Sequence, residues 1–265
     1  MPQSDSTWRD LVQNHASAIP YQCHSLPDGR IVDVFFYDMG GPLAADHQLC
    51  WSLLNASERD RANRFHFERD RAMFVSCRAT LRALLAARTE APPNSLRFEL
   101  GFHGKPELPG TGISFNISHA GQWLACAVSD RRDAPLHIGL DIEHIHPIPD
   151  MLHLAQHFFA PAEVQRLLSL PEDAKMESFF ECWTRKEAVI KATGEGISRP
   201  LDSFEVAFGP GVAPALLRLD DDLNPLWEMY SYQPAPDYIA TLGFPLRAGQ
   251  FGDQNLRLTS LRNVE

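Results

Sequence analysis

The chain is expected to fold as an α+β protein of two similar lobes, and three features of its 265 residues lead there. Each half reads as a strand, then helix, then further strands. A polar, proline-containing link, SDRRDAPLH at 129–137, separates the halves. Apolar residues make up 44% and charged residues 22%, a balance that fills a core and keeps a soluble surface. The boundary is set between 1–133 and 134–265, each part large enough to pack helices on sheet.

Residues 1–30 are polar and irregular, with a Pro-Asp-Gly turn at 27–29. RIVDVFFYDM, 30–39, reads as a strand. The stretch 57–90 reads as mostly helical, with Ser57 placed to cap its start and an apolar stripe at Phe74, Leu81, Leu84 and Leu85. APPN at 91–94 stops it. LRFELGFHGKPEL, 96–108, is strand leading into a Gly-Lys-Pro turn. ISFNIS and WLACAVS form a hairpin turning at His119-Ala120-Gly121. HIGLDIEHI, 137–145, is a further strand. Residues 149–170 give two helices broken at Pro161, and 174–196 give a long helix ended by glycine. Beyond residue 200 the reading is β-rich: 202–209, 227–244 and 254–261.

The net charge of −10 gives no global field for nucleic acid. Seven arginines (Arg59, Arg61, Arg64, Arg69, Arg71, Arg78, Arg82) nevertheless crowd one stretch. That local patch suits a small polyanion, or is simply the charged face of a helix. Five scattered cysteines without CxxC spacing argue against a disulfide framework or zinc knuckle, and point to a reducing cytosol. No signal-peptide pattern opens the chain, and no apolar run nears the ~18 residues that span a bilayer. A cytoplasmic protein without membrane or nucleic-acid partners is expected.

The chemistry-bearing residues fall in two segments. In GLDIE, 139–143, strand alternation sends Gly139, Asp141 and Glu143 to one face, the glycine leaving room beside two carboxylates. Such a pair suits a hard cation, or is the polar face of an edge strand. In ECWTRKEAVIK, 181–191, Glu187 and Lys191 share a helix face at i, i+4. Alone, that is the pattern of a surface ion pair over a buried Trp183. If Glu187 faces Asp141 and Glu143, three acids converge, which requires a cation to hold them, and Lys191 can meet a phosphate. This set suits phosphoryl transfer. His119 beside Ser118 and the turn lysine Lys105 are weaker candidates. His144, His146, His153 and His157 also cluster, but HExxH is absent, and a zinc site is disfavoured.

Taken in order, RFHFERDR (64–71), GKP (104–106), FNISH (115–119), GLDIE (139–143), FF (158–159), WTRKEAVIKATGEGI (183–197) and PLDSFEV (200–206) resemble the 4′-phosphopantetheinyl transferases, specifically their larger Sfp-like group. The resemblance covers roughly 50–207. It implies two α+β lobes related by a pseudo-twofold axis, with the site between them. It implies transfer of the phosphopantetheine arm of coenzyme A to a serine of an apo acyl or peptidyl carrier protein, releasing 3′,5′-ADP. Fatty-acid, polyketide and peptide-synthetase carriers all fit, and a single chain of this length implies a monomer. Asp141, Glu143 and Glu187 would hold Mg2+, with Mn2+ as a substitute. Glu187 or Glu163 would deprotonate the carrier serine. Lys191 would steady the pyrophosphate. Lys105 and His119 would contact the coenzyme A phosphates, Ser118 would line the nucleotide pocket, and Arg61 and Arg64 would supply further cations. Glu58 stands where a lysine occurs in a familiar member. Lys186 is assigned a structural ion pair or a place in the pocket wall. The rival readings are another Mg2+-dependent phosphotransferase or nuclease built on the same three acids, and a carrier-binding protein without catalysis. A P-loop, GxxxxGK[ST], is absent.

Overall fold

The computed structural model describes residues 21–26, 29–40, 46–101, 104–130, 136–219 and 226–246. It is a mixed α+β structure. The strands are β1 (Tyr21–Ser25), β2 (Ile31–Asp38), β3 (Glu99–Leu100), β4 (Pro106–Glu107), β5 (Ser114–Ala120), β6 (Trp123–Ser129), β7 (Gly139–His144), β8 (Phe204–Val206), β9 (Leu216–Leu219), β10 (Leu226–Tyr232) and β11 (Tyr238–Leu246). The α-helices are α1 (His47–Leu53), α2 (Ala56–Ala62), α3 (Glu68–Thr89), α4 (Met151–Phe158), α5 (Pro161–Ser169) and α6 (Glu172–Thr193). One sheet runs β1-β2-β6-β5 and another β10-β11-β7, with antiparallel neighbours throughout.

The two-residue period of the strands sorts their side chains into layers. On β2, Phe35 and Tyr37 pack with Leu81, Leu84 and Leu85 of α3. The alternate residues Val32, Val34 and Phe36 face a central core shared with Leu140 and Ile142 of β7 and Ala240, Leu242 and Phe244 of β11. Outside the second sheet, Ile239 and Met229 join Phe179, Phe180, Val189 and Ile190 of α6. The order is therefore helix α3, sheet, shared core, sheet, helix α6. Both halves contribute to the middle layer, so the sheets are held by apolar burial, ~1.5–3 kcal/mol per fully buried large side chain.

Several elements differ from their sequence reading. The helix expected over 57–90 is two, α2 and α3, separated at 63–67. Asn55, not Ser57, caps α2: its side chain accepts from Glu58 N while Glu58 Oε2 accepts from Asn55 N. A capping oxygen reaches forward to the N–H groups of the first turn from the residue that precedes it, and Ser57 lies inside that turn. The hairpin turn falls at Gly121 and Gln122, so His119 is on β5 rather than in the turn. The strand expected over 96–108 shrinks to the small β3–β4 ladder around Lys105. Gly194, left-handed at φ 74°, ends α6. The strand expected at 254–261 lies outside the described residues.

Gly139 does not leave room for a ligand. A Cβ built there would lie 1.7 Å from Ala188 O and 2.6 Å from Ala192 N. The absent side chain is filled by the backbone of α6, which lies directly on β7. Gly243, opposite Gly139 in the β7–β11 register, is less crowded: its built Cβ meets Ala188 Cβ at 3.6 Å. Gly139→Ala is therefore expected to lose roughly 3 kcal/mol of unfolding free energy, the upper end of overpacking. Gly243→Ala is expected to change it by less than about 1 kcal/mol. Equal urea midpoints for the two variants would contradict this packing.

Candidate active site

The site grows from alternate residues of β5. Ser114, Asn116 and Ser118 share one strand face, and that face is turned to β7. Ser114 Oγ accepts from Leu136 N at 3.0 Å, and Asn116 Oδ1 accepts from Leu140 N at 2.9 Å. Ser118 Oγ donates to Asp141 Oδ1 at 2.9 Å. Lys191, from α6, completes the group. Its Nζ lies 2.6 Å from Asp141 Oδ1 and donates to Ser118 Oγ at 2.9 Å. Three elements from both halves thus meet on one carboxylate. Asp141 Oδ2 is buried and has no partner.

Glu143 and Glu187 are half-buried neighbours of this group. Burial pushes the Glu143 carboxyl up to about 7, with Asp141 and Glu187 adding to the rise and Lys191 opposing it. Burial also raises Glu187, with Asp141 adding and Lys191 opposing. The acids therefore act on one another, and one ammonium does not balance them. Among the described residues no group of three His, Cys, Asp or Glu side chains stands ready to hold an ion. That holds for His144, His146, His153 and His157, and equally for Asp141, Glu143 and Glu187 as they stand here. Still, a hard-oxygen donor set and one orphaned carboxylate oxygen fit a divalent cation such as Mg2+.

A cavity of about 770 Å3 opens beside these residues. Glu187 and Lys191 form part of its wall, with the apolar side chains of Trp183, Phe158 and Ile190 and the polar ones of Lys105 and Asn116. Trp183 is fixed by Phe158 at 5.7 Å and Phe179 at 6.0 Å between ring centroids. Lys105 Nζ donates to Ile138 O at 2.7 Å and to Lys191 O at 2.8 Å. It thereby satisfies a carbonyl in the last turn of α6, where a cation is favoured. Two of its three N–H bonds are spent, leaving one for a ligand. Burial lowers its pKa to about 8. Asn116 and Arg199, also in the wall, were missed from sequence. The two-residue spacing of Ser114, Asn116 and Ser118 was the readable signal for Asn116.

Other expected site residues stand apart. Glu163 cannot serve as the base. It is 3% exposed, and both carboxylate oxygens are engaged: Oε2 with Lys186 Nζ at 2.7 Å and Ala160 N at 2.8 Å, Oε1 with Val206 N at 2.8 Å. Lys186 is wholly buried and also donates to Leu201 O and Phe204 O, each at 2.7 Å. It is a structural ion pair and not a pocket wall. His119 is exposed and, by alternation, emerges opposite Ser118. Arg61 and Arg64 are exposed as well, Arg61 lying over Phe74 at 5.1 Å. None of these three is among the described residues lining the cavity. The arginine patch is partly internal: Arg82 is wholly buried, donating to Glu58 Oε2 at 2.5 Å and to the carbonyls of Pro93 and Leu96. Glu58 is thus the counter-ion of an arginine.

Removing one partner of a buried pair strands the other charge, at about 3–5 kcal/mol. Lys186→Met and Glu163→Gln are each expected to fall in that range in chemical denaturation, and the double variant well short of their sum. Additivity within about 0.5 kcal/mol would show that the pair is not coupled.

The sequence matches known proteins across both halves. Residues 137–243 match the family model described as 4′-phosphopantetheinyl transferase superfamily, and 41–131 match 4′-phosphopantetheinyl transferase, N-terminal. The chain is 36% identical over 193 residues to the 4′-phosphopantetheinyl transferase HetI of Nostoc sp. (strain PCC 7120), covering 71% of this chain and 77% of the relative. It is 30% identical over 202 residues to the 4′-phosphopantetheinyl transferase Sfp of Bacillus subtilis (strain 168), covering 76% and 86%. It is 37% identical over 182 residues to psf-1 of Bacillus pumilus, covering 67% and 74%. Both halves meeting at Ser118, Asp141 and Lys191 thus carry one family's sequence, and the chain belongs to the 4′-phosphopantetheinyl transferases.

Proposed function

We propose that this enzyme transfers 4′-phosphopantetheine from coenzyme A to a serine of an apo acyl or peptidyl carrier protein, with Mg2+ bound and 3′,5′-ADP released. The observation that carries the reading is the carboxylate group Asp141, Glu143 and Glu187, left short of positive charge beside a large cavity. Asp141, Glu143 and Glu187 would hold the cation. Bound there, it would draw charge off the phosphorus under attack.

The remaining roles belong to the chain's own side chains. Lys191 and the free N–H of Lys105 face a pyrophosphate in the cavity. An uncharged part of coenzyme A lies against the apolar side chains of Trp183, Phe158 and Ile190. The carrier serine oxygen bonds to the phosphorus next to the pantetheine arm. The bond from that phosphorus to the bridging oxygen breaks, and 3′,5′-ADP leaves with its electron pair. Glu187 accepts the serine proton: it lines the cavity, whereas both oxygens of Glu163 are engaged elsewhere. A base within reach of a weak hydroxyl nucleophile is what this step requires. Arg61 and Arg64, exposed in the structure, contribute charge toward an anionic ligand at longer range, and His119 offers it a ring nitrogen. The two halves act as lobes of 1–133 and 134–265 related by a pseudo-twofold axis, in a monomer of the cytoplasm.

An apo-carrier incubated with the enzyme, coenzyme A and Mg2+ is expected to gain the mass of one phosphopantetheine group. EDTA should stop the gain and added Mg2+ or Mn2+ restore it. Glu187→Gln should stay slow at saturating Mg2+ while still binding coenzyme A, and Glu163→Gln should keep its turnover per folded molecule. No mass gain on acyl or peptidyl carriers would contradict the reading, and so would full activity in Glu187→Gln.

A further inference from the structure

The two sheets face each other across the shared core, and their two seams are closed differently. On one side β5 meets the segment carrying β7 through side-chain bonds from Ser114, Asn116 and Ser118. On the other side stand two edge strands, β1 and β10. Among the described strands no ladder joins them: β1 pairs with β2, and β10 with β11. There His24 of β1 makes the crossing. Its Nε2 shares a hydrogen bond of 2.5 Å with the Tyr232 hydroxyl, across 208 positions of sequence. Its ring also lies against Tyr230, with centroids 3.9 Å apart, and Tyr232 in turn meets Phe36 of β2 at 5.4 Å. We propose that β1 is a strap, clamped by His24 onto the tyrosines of β10, closed while the imidazole is neutral and released by acid. The strand lies outside both segments that match the family models, 41–131 and 137–243.

The surroundings of the ring decide how it answers to pH. From β10 it faces Tyr230 and Tyr232, and burial holds both hydroxyls above the ordinary tyrosine range, Tyr230 at about 12 with Glu228 adding to the rise. Glu228, the carboxyl of that strand, is bonded to Tyr230 and is itself raised by burial. From β2, Val32 stands opposite His24 in the ladder, and the buried Arg30 lies two residues before it. From β11, Phe244 packs behind Tyr230 at 6.2 Å. Among these described neighbours no carboxylate is bonded to the ring to offset a charge on it. Burial accordingly lowers the His24 pKa from its ordinary value of 6.5. A histidine lowered on folding binds fewer protons in the folded chain than in the unfolded one. Its contribution is therefore full above about pH 6.5 and is lost as the pH falls through the folded value. A charged ring also carries two donors and no acceptor, so Nε2 can no longer take the Tyr232 proton.

Hydrogen exchange on the full chain, read by mass spectrometry and corrected for the intrinsic effect of pH, tests the clamp. Protection of the peptide covering β1 is expected to fall between about pH 8 and about pH 5.5, by up to about tenfold per pH unit, the limit for one proton. His24→Phe keeps a ring against Tyr230 and has nothing to titrate, so its β1 protection is expected to stay nearly level over that range. Tyr232→Phe removes the hydroxyl and is expected to lower β1 protection about two- to tenfold at about pH 8, the worth of one hydrogen bond. Peptides from β6 and β11, inside the two sheets, are expected to keep their protection throughout. The proposal is overturned if wild-type β1 protection does not change with pH, or if His24→Phe shows the same change. It is overturned equally if Tyr232→Phe is as protected as the wild type, or if β6 and β11 open together with β1, which would be general unfolding.

Discussion

The site depends on a backbone contact with no chemistry of its own. Gly139 lets β7 lie against α6 so closely that any side chain would overlap Ala188 O. That contact fixes both the spacing and the register of strand against helix. Asp141 and Glu143 follow Gly139 at two-residue steps on the same strand face. Glu187 and Lys191 flank Ala188 and Ala192 along the helix. One close approach therefore brings two acids of a strand to an acid and a lysine of a helix. Such placement on rigid elements costs little entropy at the moment of binding, because the fold has already met it.

Charge is handled in two ways within one stretch of α6. Lys186 points into the second core, where Glu163 and two carbonyls surround its ammonium. That pair is sealed, and its partners satisfy a helix cap and a strand N–H as well. Lys191, five residues on, reaches Asp141 and Ser118 at the edge of the cavity. There Asp141 and Glu187 raise the Glu143 carboxyl while Lys191 opposes the rise. A sealed pair specifies structure. A group whose acids raise one another at a cavity wall invites a further cation and an anionic ligand.

The layered α+β fold was legible because its signals are local. The alternation of Val32, Val34 and Phe36 against Phe35 and Tyr37, and the stripe at Leu81, Leu84 and Leu85, directly encode which face each element buries. The site residues were legible in part, through Asp141 and Glu143 on one strand face and Glu187 and Lys191 on one helix face. Partners distant in sequence were not. Glu163 reads as an available acid until Lys186 is seen on it, and Arg82 reads as surface charge until Glu58 is seen beneath it. Gly139 reads as open space, because a sequence does not say which backbone fills the gap. The N-cap at Asn55 was misassigned to Ser57 for a smaller reason. Both are good capping types, and only the reciprocal bond from Glu58 distinguishes them.

The central proposal is that the close approach of β7 and α6 lets Asp141, Glu143 and Glu187 hold one cation beside the cavity proposed for coenzyme A. The most direct measurement is anomalous scattering from Mn2+ in a crystal of the enzyme grown with coenzyme A. The account predicts one strong peak, at ligand distance from carboxylate oxygens of Asp141, Glu143 and Glu187 and next to the pyrophosphate. A peak held by other residues, or pyrophosphate density with no metal beside these three acids, would contradict it.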